Sequence, residues 1–127
     1  MKNDGGMTLI EVVVSLAIVF IIFLGMSAGG LLVLDQNIKN LMRDEAVSVA
    51  EMEMQRVRNT PFDNIVSAVD NVPRRIRGAS RNFTVDRTVT SLDSANRQVS
   101  VNITWSRPEM GVNKTYNHQV FTIVRKR

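Results

Sequence analysis

The 127-residue sequence contains no cysteine, one histidine, one tryptophan and one tyrosine. Without cysteine there is neither a disulfide staple nor a thiolate metal site. His118 stands alone, with no carboxylates clustered around it, so metal binding and histidine-based acid–base chemistry both lack partners. No enzymatic activity and no cofactor are expected. Proline occurs only at 61, 73 and 108, which leaves nothing to break a helix before Pro61. The longest absence is of charge: the 23 residues from Val12 to Leu34 carry none. There is also no internal repeat and no low-complexity tract.

That uncharged run is rich in Val, Ile, Leu, Phe and Met, and it exceeds the roughly 20 apolar residues a helix needs to cross a bilayer. Residues 12–34 are therefore read as a membrane-spanning helix. A secretory signal would place its apolar stretch before a small-residue cleavage site. Here only six residues precede Met7, Lys2 is answered by Asp4, and the apolar run lies after Gly6. Glu11 sits just inside the apolar segment, where an unpaired charge is costly and normally has a partner.

Gly5-Gly6-Met7-Thr8-Leu9-Ile10-Glu11, followed by Val12-Val13-Val14-Ser15-Leu16-Ala17-Ile18-Val19, resembles the class III signal of type IV pilins and type II secretion pseudopilins. The resemblance implies a leader of residues 1–6, cleavage by prepilin peptidase between Gly6 and Met7, and N-methylation of Met7. It places the family's fifth-position glutamate at Glu11, whose carboxylate would meet the terminal amine of a neighbouring subunit during assembly. An amine and a carboxylate near hydrocarbon each carry a desolvation cost, which pairing offsets. The chain departs from the family's usual pattern in three ways. Met7 stands where phenylalanine is usual, Gly25-Met26-Ser27-Ala28-Gly29-Gly30 lacks the proline of many major pilins, and no C-terminal disulfide loop can form.

The length allows one small domain beside the helix. With 16 Lys+Arg against 12 Asp+Glu the net charge is +4, and loss of residues 1–6 would leave it unchanged. Helical character continues past the apolar run. Ile38, Leu41, Met42, Ala46, Val49, Ala50, Met54 and Val57 recur at helical spacing, with charges on the other faces. Thr60 precedes Pro61, so the helix should end near 58–60. A helix from Thr8 to Asn59 would be ~78 Å long at 1.5 Å per residue. Residues 61–80 read as a connector interrupted by Pro73. Three strands are expected after it: one around Phe83, Val85 and Val89, one through Val99, Val101, Ile103 and Trp105, and one from Tyr116 to Val124. In the last of these Val120, Phe121, Ile123 and Val124 leave the register open. The fold class is thus α+β: a long helix, membrane-spanning first and amphipathic after, packed on an antiparallel sheet of about three strands in residues 81–127. The Val99–Trp105 face should cover the stripe from Ile38 to Val57.

Each motif has a simpler reading. Thr8-x-x-Glu11 fits a capping box that needs no neighbour; beside Gly6 and the long apolar run, the assembly reading is preferred. Gly25 and Gly29 form a GxxxG through which membrane helices approach closely, and the same pair suits filament bundles and receptor dimers. Arg74, Arg75, Arg77 and Arg81 form a basic cluster that could attract DNA or anionic lipid. No aromatics interleave it, so a solvated loop or an ionic contact with a neighbour's Glu51 or Glu53 is preferred.

The resemblance, together with the short sheet and missing cysteines, is greatest to a minor pilin of the PilV type, with the I-type minor pseudopilin of type II secretion next. It implies a structural subunit held in the bacterial inner membrane with its C-terminal domain in the periplasm, then drawn into a filament with the major pilin and other minor pilins. Two other classes remain as alternatives. One is a single-pass anchor or receptor, the other a DNA-uptake pilin that uses the arginine cluster on phosphates.

Overall fold

A computed structural model of the chain describes residues 7–109 and 111–126. Residues 1–6, the expected leader with Gly6, lie outside the described residues. The polypeptide divides into two compact units between Lys39 and Asn40, and one helix, α1 (Leu9–Asn59), contributes to both. It ends at the residue before Thr60-Pro61, as the restricted backbone of Thr60 requires.

In the first unit α1 is apolar around its circumference and none of its hydrophobic window is buried. Ile21, Phe23 and Leu31 are each about two-thirds exposed. A helix that is hydrophobic on every side has no stable solution in water and requires lipid or other helices around it.

The second unit places the last turns of α1 on a four-stranded antiparallel sheet of order β1-β2-β3-β4. The strands are β1 (Ala68–Ile76), β2 (Ala79–Ser91), β3 (Asn96–Glu109) and β4 (Val112–Arg125). A short 3-10 turn (Phe62–Asn64) joins helix to sheet. From α1, Met42, Ala46, Val49, Ala50, Glu53, Met54 and Val57 are buried, a stripe at intervals of three and four residues. Facing it are Phe83 and Val85 from β2 and Val99, Val101, Ile103 and Trp105 from β3. Each fully buried side chain of this kind contributes about 1.5–3 kcal/mol. The helical stripe begins at Met42, since Leu41 is 37 % exposed.

The sheet corrects the sequence expectation by one strand, because β1 occupies most of the stretch read as a connector. Two features hid it. Pro73 looks like an interruption, yet β1 is an edge strand. The Ile76↔Ala79 pair closes the β1–β2 hairpin, and the pairing alternation carried back from it leaves the nitrogen of Pro73 facing away from β2, where no hydrogen bond is lost. The hairpin loop itself is Arg77-Gly78, with φ of 48° and 82°. Positive φ at both positions is the signature of a type I′ turn, whose usual first residue is Asn, Asp or Gly rather than Arg. Pro108 is accommodated in the same way, since β2 pairs with β3 only as far as Thr84↔Thr104.

The register of β4 is settled by pairing. Val101↔Val120 and Ile103↔His118 put His118, Val120, Thr122 and Val124 on the helix side. Phe121 and Ile123 face outward and are 60 % and 65 % exposed.

Candidate functional site

The candidate site lies at the start of α1 and is built almost wholly from local structure. Thr8 is the N-cap: its carbonyl accepts the N–H groups of Glu11 and Val12 at 3.0 and 3.2 Å. Its hydroxyl oxygen accepts the Glu11 N–H at 3.4 Å. This is one arm of a capping box. The reciprocal arm is not made, for among the described residues the Glu11 carboxylate has no hydrogen-bond or ion-pair partner. The simpler reading of Thr8-x-x-Glu11 therefore accounts for the hydroxyl and leaves the carboxylate unused. Glu11 occupies the first turn of the helix, where backbone N–H groups favour a negative charge. The Ser15 hydroxyl donates to the Glu11 carbonyl at 2.8 Å, which keeps a polar side chain satisfied within the apolar run. Met7, at the proposed new N-terminus, is 68 % exposed.

Further along the same segment, a Cβ built at Gly25, Gly29 or Gly30 would meet nothing within 4 Å. Gly25 and Gly29, one turn apart, form an open strip on the helix surface, the geometry a second helix needs for close approach.

The arginine cluster is not one site. Arg74 faces α1, where its Nε lies 3.2 Å from Glu45 Oε1 and its Nη2 lies 3.6 Å from Met52 Sδ. Arg75, Arg77 and Arg81 surround the exposed β1–β2 turn and have no ion pair among the described residues. Of the acidic partners expected for this cluster, Glu53 is excluded. It is only 4 % exposed and is held by Arg87 of its own chain, with Arg56 at 3.7 Å. Glu51 remains on the exposed side of α1.

Several polar contacts were not legible in advance, because each depends on strand pairing or on packing between elements. Arg87 binds Glu53 and donates through Nε to the Val66 carbonyl at 2.8 Å. Arg97 donates to the Phe62 carbonyl at 2.7 Å and stacks over the Phe62 ring at 4.4 Å, anchoring the segment after α1. At the β3–β4 turn, Glu109 accepts from the Tyr116 hydroxyl and pairs with Lys114 at 2.9 Å. The Tyr116 hydrogen bond, then Lys114, holds the Glu109 carboxyl down at about 2, while the same bond raises the Tyr116 phenol. All of these hold the domain together. Among the described residues no group of His, Asp and Glu is placed to hold a metal ion.

Residues 1–27 match the model of the prokaryotic N-terminal methylation motif. No curated protein and no solved structure matches the chain. The matched segment includes Gly6, Met7, Glu11 and 16 of the 23 residues of the apolar run. It supports a type IV pilin-like or pseudopilin-like protein, a structural class processed by prepilin peptidase and anchored through an apolar N-terminal helix.

Proposed function

From that motif we propose that the chain is a minor pilin of a type IV pilus. Prepilin peptidase cuts between Gly6 and Met7 and methylates Met7. The subunit waits in the inner membrane on residues 12–34 and enters the filament when Glu11 takes the amine of a neighbouring subunit. The single observation that carries this reading is the Glu11 carboxylate, unpaired among the described residues, at the head of a helix whose first half is apolar on all sides. Charge and hydrocarbon are both left wanting a partner, and a bundle of like helices supplies both. Gly25 and Gly29 offer a strip for a neighbouring helix, and the cysteine-free four-stranded domain supports a minor rather than a major subunit.

The processing motif supports a periplasmic second unit in this reading, whereas flanking charge does not. Lys39 and Arg43 follow the apolar run where Lys2 alone precedes it, and a positive-inside count by itself favours the reverse orientation.

The test is the N-terminal mass of the protein recovered from its native membrane and from sheared filaments. A chain that begins at methylated Met7 and is present in the filament fraction is the expected result. An intact Met1 leader in cells with active prepilin peptidase would overturn the reading and leave a membrane anchor. A processed chain found only in a secretion pseudopilus would move it to the pseudopilins.

A further inference from the structure

Basic side chains outnumber acidic ones at the end of the folded domain that carries the β1–β2 turn. The pairing register brings the β1–β2 turn at Arg77-Gly78 and the Glu109↔Val112 end of the β3–β4 hairpin to the same end of the sheet. That end is also where α1 enters the unit. Arg74 reaches Glu45, whereas the opposite end of β4, Thr122–Lys126, lies by Arg58–Asp63 beyond the helix terminus. At the entry end, Arg43, Arg74, Arg75, Arg77, Arg81 and Lys114 outnumber Asp44, Glu45 and Glu109. The opposite end is basic as well, since Arg56, Arg58, Arg97, Arg125 and Lys126 outnumber Asp63 and Asp93 there, so chain reach rather than charge alone singles out the entry end.

Distance along the chain ties this end to the apolar run. The hairpin tip lies three residues past Arg74, ~10 Å at 3.3 Å per residue, which is about seven residues of helical rise. That brings the tip level with about Asn40–Met42 of α1. Leu34, the last residue of the uncharged run, is six residues before Asn40, ~9 Å of helix or at most ~20 Å of extended chain. Whatever angle the chain takes there, the end of the domain that carries the arginine tip is tethered to the apolar run by this short stretch.

The turn residue is a second observation. Arg77 holds φ at 48°, a left-handed conformation that costs an ordinary residue about 1–2 kcal/mol and that Asn or Gly would adopt with less strain. A charged side chain at a position where local preference opposes it is the pattern expected of a residue kept for contact rather than for folding.

We infer that the β1–β2 hairpin tip, through Arg75, Arg77 and Arg81, docks on the anionic phospholipid surface of the membrane that α1 crosses. The contact holds the folded domain against the headgroups before assembly and is released as the subunit leaves the bilayer. The inference rests on the membrane-spanning reading of residues 12–34. An anionic bilayer is favoured over nucleic acid because the surface lies within chain reach and the tip has no aromatic to stack a base.

The test uses the full chain reconstituted in vesicles. Since the protein has no cysteine, Ala79→Cys and Ile21→Cys each give a single site for a spin label. The label at position 79 is expected at headgroup depth in vesicles containing phosphatidylglycerol, and in water in pure phosphatidylcholine or at 0.5 M NaCl. Replacing Arg75, Arg77 and Arg81 with Gln should lower the docked fraction about fivefold per arginine, with Trp105 fluorescence unchanged as the check on folding. A label at position 21 that reads hydrocarbon in every vesicle, with one at 79 that stays in water throughout, would overturn the docking inference alone. A label at 21 that reads water would instead overturn the membrane-spanning reading. A response at 79 to short duplex DNA but not to phosphatidylglycerol would replace lipid with nucleic acid.

Discussion

The guanidinium of Arg87 grips the carboxylate of Glu53 beneath α1, and this pair joins the helix to β2 at the centre of the domain. Their side chains are 14 % and 5 % exposed, so neither charge is well solvated. Arg87 also donates to the Val66 carbonyl, which ties the segment before β1 to the same point. Charge buried to this extent is tolerated because it is paired and hydrogen-bonded.

Arg87→Ala should therefore be severely destabilising, by about 3–5 kcal/mol, because Glu53 would be left buried with only the 3.7 Å approach of Arg56. Replacing both partners with Leu should recover most of that loss. Urea denaturation of the full chain in detergent, followed through the single, buried Trp105, measures both. Equal destabilisation by the single and double changes would show that the pair does not act as a unit.

Acid should weaken the β3–β4 turn. Glu109 is held at about 2 in the folded chain, below its ordinary 4.5, by the Tyr116 hydroxyl and then by Lys114. A depressed carboxyl contributes its stability in full above the unfolded value and loses it as pH falls through the folded one. Urea midpoints should thus fall between pH 4.5 and 2 more steeply in the parent chain than in Tyr116→Phe. Parallel curves for the two proteins would remove the hydrogen bond as the cause.

Much of this fold was readable because its strongest signals are periodic. The stripe from Met42 to Val57 and the alternation Val99, Val101, Ile103, Trp105 each repeat with the period of one element, and they meet as expected. The fourth strand was hidden because β1 carries Asp70, Asn71, Pro73, Arg74 and Arg75 and has no clear apolar alternation. It is defined by its partner β2 and by a turn with Arg in place of Asn. The head of α1 was legible because the Thr8 cap and the acid Glu11 lie within one turn of each other, directly before the apolar run. The Glu53–Arg87 pair was not, since nothing local to Glu53 distinguishes it from Glu51, which faces outward two residues away.

The unusual turn carries its own prediction. Arg77→Asn keeps the left-handed backbone with less strain, so it should raise stability by up to about 1 kcal/mol. The gain would appear as a higher urea midpoint with an unchanged slope. A fall in stability would mean that the Arg77 side chain itself supports the hairpin.

Glu11 gives the sharpest division between the filament reading and its rivals. Glu11→Gln removes the charge but leaves the Thr8 cap intact, because that cap uses the backbone N–H of Glu11 and not its side chain. Helix formation and membrane insertion should be unaffected, and insertion of the lone subunit should be no harder with the charge gone. Cleavage after Gly6 should also proceed, since the bond lies outside α1. What is lost is the attraction between the carboxylate and an incoming amine in a poorly solvated site, a term large enough to lower incorporation at least tenfold. Comparing the membrane and sheared-filament fractions of parent and variant, both checked for a Met7 N-terminus, separates assembly from processing. A normal filament fraction for Glu11→Gln would mean that subunit entry depends on the apolar surface of α1 alone, and would leave the unpaired carboxylate without a role in assembly.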